Sequence, residues 1–195
     1  MTSLEAALAA INAELVGAGV PFALIGGLAV SVRTEPRFTR DADLVVAVGT
    51  DREAEALIHH LRSRGYGIHA LVEQEAVGRL ATVRLSSSPE PQAPVVDLLF
   101  ASSGIEAEIA AQAEALELLP GLIMPVARVG HLVALKLLSR DDVRRPQDLV
   151  DLRGLLRVAS PLEMDRARDA MALITARGYH RGRDLAFELN RLIES

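Results

Sequence analysis

Pro21-Phe22-Ala23-Leu24-Ile25-Gly26-Gly27 and, fourteen positions beyond the second glycine, Asp41-Ala42-Asp43-Leu44-Val45-Val46-Ala47-Val48 decide how this 195-residue chain is read. The first stretch is a short apolar run stopped by two glycines, the pattern of a buried strand ending in a tight turn. The second begins with two aspartates at alternate positions and continues as an apolar strand. Side chains two apart on a strand share a face, so both carboxylates can reach one point in space. A glycine turn beside them lets backbone approach a ligand closely. Two carboxylates facing such a turn suit a magnesium-bound polyphosphate.

A third carboxylate, Asp97, lies inside Val95-Val96-Asp97-Leu98-Leu99-Phe100. An ionised carboxylate buried in such a run costs several kcal/mol unless it is paired or binds a metal. The alternatives are an edge-strand acid facing water or a core acid paired with an arginine. For Asp41 and Asp43 the alternative is a strand-initiating turn with two solvated acids. Against that, they follow a basic segment, Arg33, Arg37 and Arg40, and precede an apolar run.

In this order and spacing, Ile25-Gly26-Gly27, Asp41-x-Asp43 and Asp97 resemble the signature of the nucleotidyltransferase fold of the polymerase-beta superfamily. Arg37-Phe38-Thr39-Arg40-Asp41-Ala42-Asp43-Leu44 is similar to a segment of the AbiEii/AbiGii-type toxin nucleotidyltransferases. The stretch Leu132 to Leu152, with Ala134-Leu135-Lys136-Leu137 and Arg145-Pro146-Gln147-Asp148-Leu149-Val150-Asp151-Leu152, resembles the same group. The resemblance covers about residues 20 to 155, and it departs mildly from pattern at Ala42, where a larger apolar residue is usual.

The resemblance implies an Mg²⁺-dependent transfer of an NMP from an NTP to a hydroxyl, with Mn²⁺ able to stand in. Asp41, Asp43 and Asp97 become the catalytic acids and the ligands of a two-metal site, with Asp97 also a candidate base. Gly26, Gly27, Arg37, Thr39 and Lys136 become the nucleotide-binding residues. The acceptor is an RNA 3′ end such as tRNA, or a protein side chain, and the chain is the toxin of a toxin–antitoxin pair with a cognate antitoxin. Two rival readings stand beside it: a non-catalytic nucleotide- or partner-binding member of the fold, and a small-molecule (antibiotic) nucleotidyltransferase.

Lys136 stands out on composition as well, being the single lysine among 20 arginines and set in an apolar helical stretch. A compact, flexible ammonium suits a phosphate clamp; the bland reading is a lysine snorkelling from a helix edge. Asp148 and Asp151 fall one turn apart behind Arg144 and Arg145, and local capping and ion pairs account for them nearly as well as a role in the site. The histidines at 59, 60, 69 and 180 lack metal-site spacing, and with two tyrosines and no tryptophan there are few base-stacking candidates.

Strands are expected at 22–26, 43–48, 67–72, 80–85 and around Asp97, and a hairpin at 115–126 turns on Pro120-Gly121. Helices are expected over the N-terminal run of Leu4, Leu8, Ile11 and Leu15, over 28–34, and from the capping-box spacing Thr50-x-x-Glu53 to Gly65. A short one covers 105–113, and four more cover 128–139, 146–157, 160–177 and 183–193. The fold class is therefore α/β (α+β): a mixed β-sheet domain over residues 1–127 and a helical subdomain over residues 128–195.

Charge follows that division. Residues 1–127 carry 8 arginines against 16 acids, and residues 128–195 carry 13 basic against 10 acidic side chains, for a net charge of −5 overall. An acidic half facing a basic half suits metal on one side and a phosphate-rich substrate on the other. Without cysteine there is no disulfide, zinc–thiolate site or thiol nucleophile. With neither a basic, apolar leader at residues 1–5 nor an apolar run of membrane-spanning length, the expected setting is cytoplasmic, with no membrane partner.

Overall fold

The computed structural model describes residues 3–37, 39, 41–74, 78–88, 90, 93–141 and 143–194. Arg40 of the basic segment, Phe38 of the motif and parts of the 86–94 loop lie outside them.

The elements run α1 (Ser3–Ala18), β1 (Phe22–Ile25), α2 (Gly26–Arg33), β2 (Ala42–Val46), α3 (Asp51–Ser63), β3 (Gly67–Gln74), β4 (Arg79–Ser86), β5 (Val96–Leu99), α4 (Glu106–Gln112), β6 (Glu114–Leu119), β7 (Leu122–Val126), α5 (Val129–Ser139), α6 (Pro146–Val158), α7 (Pro161–Ala176) and α8 (Leu185–Ile193). The seven strands form one sheet in the order β3-β4-β5-β2-β1-β7-β6. Pairing is mixed: β1 runs antiparallel to β2, β2 parallel to β5, and β1 parallel to β7. The expected mixed α/β architecture is observed, with strand and helix bounds within a few residues of the sequence pattern.

The central strands have the most apolar sequences because they are covered on both faces. All four residues of β1 are buried, and Leu44, Val45, Val46 and Leu98 are fully shielded. Helices α2 and α4 pack against β1 and β2, and α5 packs against α2, α6, α7 and α8. One continuous apolar core runs from Leu8 and Ile11 through the sheet to Leu132, Leu155 and Leu189. The edge strand β3 is different: its first seven residues are exposed.

The marked helix starts behave as their chemistry requires, with one departure. The hydroxyls of Thr50 and Ser160 accept the backbone N–H groups of Glu53 and Glu163, each at 3.3 Å. Glu163, however, does not fold back on its own cap. Its carboxylate accepts the N–H of Gly130 at 2.6 Å, in the first turn of α5, where Arg128 offers no side-chain cap. A Cβ at position 130 would overlap the backbone of Glu163 and Ala167, so the glycine permits this close α5–α7 approach. Arg33, grouped by sequence with the site arginines, instead ties α2 to the β6–β7 hairpin through Glu114 and the carbonyls of Val126 and Ala127.

Candidate active site

Strand register builds the floor of the site. Ile25 lies opposite Asp43, Asp43 opposite Asp97, and Asp97 opposite Arg84. Directly opposed residues project from the same face of a sheet. Four neighbouring strands thus present Ile25, Asp43, Asp97 and Arg84 as one row, and Asp41, two positions before Asp43, extends it. They line a cavity of about 770 Å³ whose opposite wall includes Leu135, Lys136 and Asp148.

The glycine turn closes one end of the row. Gly26 has φ +65, a backbone conformation that disfavours any side chain, and a Cβ there would overlap the Asp43 carboxylate. Gly27 leaves room in a different direction: a Cβ would crowd the Arg37 guanidinium at 2.7 Å and Thr39 Oγ1 at 3.2 Å. Both glycines open helix α2, whose first-turn N–H groups have no intrahelical acceptor. Gly26, Gly27, Arg37, Thr39 and Asp43 are thus brought together from two segments of the chain.

Among the described residues the floor holds three acids against Arg84. Desolvation first, then the nearby Asp97 and Asp41 carboxylates, push the Asp43 carboxyl up to about 6, although Lys136 and Arg145 pull it down. Asp97 is mostly buried and accepts from Nε and Nη2 of Arg84, at 2.8 and 2.6 Å. Arg84 also stands 3.9 Å from Asp41, and its pKa is raised by the hydrogen bonds to Asp97 and then by the charge of that residue and its neighbours. Among the described residues no three carboxylates or histidines stand together as a ready-made metal cage. Three oxygen donors of like charge along one cavity floor nevertheless fit Mg²⁺ by their chemistry, with Asp97 the one committed elsewhere.

The helical wall is the converse. Lys136 is 8% exposed, so it does not snorkel, and its Nζ lies 2.7 Å from Asp148 and 2.8 Å from Asp151. Asp148 and Asp151 are themselves buried; Asp148 keeps a local pair with Arg145 at 3.4 Å, and both acids also reach Lys136 on the neighbouring helix. Asp151 also receives a two-pronged bond from Arg37, at 3.0 and 2.8 Å, and one from Gln147 at 3.1 Å. Burial raises the Asp151 carboxyl, but the bonds from Lys136, Gln147 and Arg37 outweigh it and hold the group below the usual range. Lys136 therefore lines the cavity as part of a network that also holds the cradle residue Arg37.

Sequence reading missed Arg84 and the cavity-lining Arg181, and left Asp148 and Asp151, with Arg144 and Arg145, open between local pairing and a place in the site. Arg84 left no signal, since only register sets it opposite Asp97. Asp148 and Asp151 had one: two acids at i and i+3 just after the only lysine-bearing helix.

The fold is that of nucleotidyltransferase structures. The solved structures with this fold include an antigenic nucleotidyltransferase-like protein from Paracoccidioides brasiliensis. It is 18% identical over 88% of this chain and 86% of its own, with a TM-score of 0.53. ANT(2″)-Ia, solved with adenylyl-2″-tobramycin, is 16% identical over 85% of this chain and 92% of its own, with a TM-score of 0.52. No curated protein matches the sequence. The family model of the AbiEii toxin nucleotidyl transferase, of type IV toxin–antitoxin systems, matches residues 7–194, and the chain belongs to that family. No described helix is long and apolar enough to cross a membrane.

Proposed function

We propose that this enzyme transfers an NMP from an NTP to a hydroxyl at an RNA 3′ end, with Mg²⁺ held by Asp41, Asp43 and Asp97. The observation that carries the reading is the shared floor: Asp43 and Asp97 paired by register with Asp41 two positions before, Gly26 seated against Asp43 and Gly27 against Arg37 and Thr39. In this reading residues 1–127 carry the chemistry and residues 128–195 supply the opposite wall.

The hydroxyl oxygen attacks the α-phosphorus, its proton passes to a base for which Asp97 is the candidate, and pyrophosphate leaves. Bound Mg²⁺ supplies neutralisation of the charge that develops on the phosphates. The chain's own residues orient the reactants. The glycine turn and the start of α2 receive phosphate oxygens, Arg37 is held for a further contact by Asp151, and Lys136 lines the wall, its ammonium held between Asp148 and Asp151. Most of the acceleration then comes from positioning and electrostatics.

An RNA acceptor is favoured by the other side of the cavity, where Arg144, Arg145 and Arg181 are exposed. Of these three, Arg145 pairs with Asp148, and a cluster of exposed arginines suits a polyanion. An antitoxin that blocks this cavity completes the reading.

The test is incubation with each labelled NTP, Mg²⁺, total tRNA and cell extract. Label from at least one NTP should appear on RNA and vanish with Asp41→Asn. Label on a protein would move the acceptor to that class, and label on neither would overturn the reading.

A further inference from the structure

The bond between Arg84 and Asp97 has an asymmetry that a simple structural salt bridge would not need. Asp97 is anchored, its side chain 12% exposed at the centre of a parallel strand pair, whereas the Arg84 side chain is 43% exposed and faces the open cavity. Arginine on its flexible stem can move into water at little cost, whereas a strand carboxylate cannot follow it. The guanidinium takes both oxygens of Asp97 and stands 3.9 Å from Asp41. It thereby sets one positive charge between Asp97 and Asp41, two of the three acids that would hold a divalent cation. The Lys136 pairs show what a permanent arrangement looks like here: donor and both acceptors are all buried.

We propose that Arg84 is the resident counter-ion of the metal site, holding Asp97 until a divalent cation takes over that carboxylate. The proposal rests on the metal reading given above and deepens it by naming the residue that sets metal affinity. Two cations compete for one carboxylate, so the apparent affinity for metal falls by the fraction of time Arg84 holds it. Arg84 also keeps the acids from destabilising the empty cavity, since three neighbouring carboxylates repel one another.

The probe is Mn²⁺ alone, titrated by calorimetry and by the loss of its free electron-paramagnetic signal, on the full chain without nucleotide. Arg84→Gln should bind Mn²⁺ more tightly than wild type, on the order of tenfold. Its melting temperature should fall without metal and rise further than that of wild type when Mn²⁺ is added. The sign is diagnostic, because losing a merely structural ion pair would loosen Asp97 and leave affinity equal or weaker. Arg84→Lys keeps the charge but loses the fork and should fall between the two, which keeps the test decisive if Arg84→Gln folds poorly. Adding Asp97→Asn to Arg84→Gln should erase the gain, since the gain passes through Asp97. Equal or weaker Mn²⁺ affinity in both Arg84 variants overturns the role of Arg84 while leaving the metal site intact. If no chain binds Mn²⁺, with or without ATP, the metal site itself falls, and this proposal with it.

Discussion

The two walls of one cavity treat charge in opposite ways. On the sheet side, Asp97 and, more distantly, Asp41 pair with Arg84, while Asp43 has no ion pair among the described residues and is driven toward protonation. On the helical side, Lys136 and Arg37 fully engage Asp148 and Asp151, and Asp151 is held ionised. Register sets the first arrangement, because strands place opposed residues side by side whatever their charge. Helix packing sets the second, because buried charges are tolerated only with partners. Under the proposed function, the difference assigns the two parts of a ligand: a cation would sit at the floor and a polyphosphate between floor and wall.

The strongest way to break the comparison is at the floor. Asp43→Asn should lower transfer by about 10³-fold or more in a labelled-NTP assay, in line with losing a key electrostatic group at a reaction centre. Its melting temperature should hold or rise, because a repelling carboxylate has been removed. A marked drop would mean that Asp43 is a structural partner and that floor and wall are alike.

At the wall the same kind of change should act on stability. Lys136→Met leaves Asp148 and Asp151 buried with one cation fewer, a loss of about 3–5 kcal/mol in denaturant unfolding. Adding Asp148→Asn should recover part of it. A variant of unchanged stability but lost NTP affinity would show that Lys136 belongs to the ligand rather than to the network.

A pH scan separates the halves further. His131, on the same helix as Lys136, is 2% exposed, and burial followed by the charge of Arg166 lowers its pKa to about 4. The folded pKa lies below the unfolded value of about 6.5, so the unfolded chain binds more protons between them. Stability is therefore full above about pH 6.5 and declines as pH falls toward 4, by about 3 kcal/mol at most. His131→Gln should flatten that decline in thermal melts across this range. Asp43 works in the other direction: its raised pKa means that protonation on acidification favours the fold, so Asp43→Asn should steepen the loss.

The smallest effect should come from a cap remote from the charges. Ser160→Ala removes the hydroxyl that accepts the Glu163 N–H and should cost about 1 kcal/mol in chemical denaturation. NTP affinity should not change; if it does, α7 reaches the site through Glu163 and Gly130 more directly than the packing implies.

Much of this molecule was legible before any coordinates. Ile25-Gly26-Gly27 and Asp41-x-Asp43 announced a strand, a turn and a pair of acids, because apolar runs, glycine and alternation are local properties that a chain carries in its order. Asp97 announced itself by the cost of an acid in an apolar strand. The four C-terminal helices followed from their spacing and caps, with Glu163 the exception, since a capping side chain can serve whichever N–H lies nearest. Tertiary structure alone decided the partners. Strand register set Arg84 opposite Asp97, although thirteen residues separate them. The packing of α5 on α6 and α2 carried Lys136 to Asp148 and Asp151 and brought Arg37 across 114 residues. Charge pairing is strongest over a few ångströms, and which residues come within that range is a property of the closed fold, written in no short stretch of sequence.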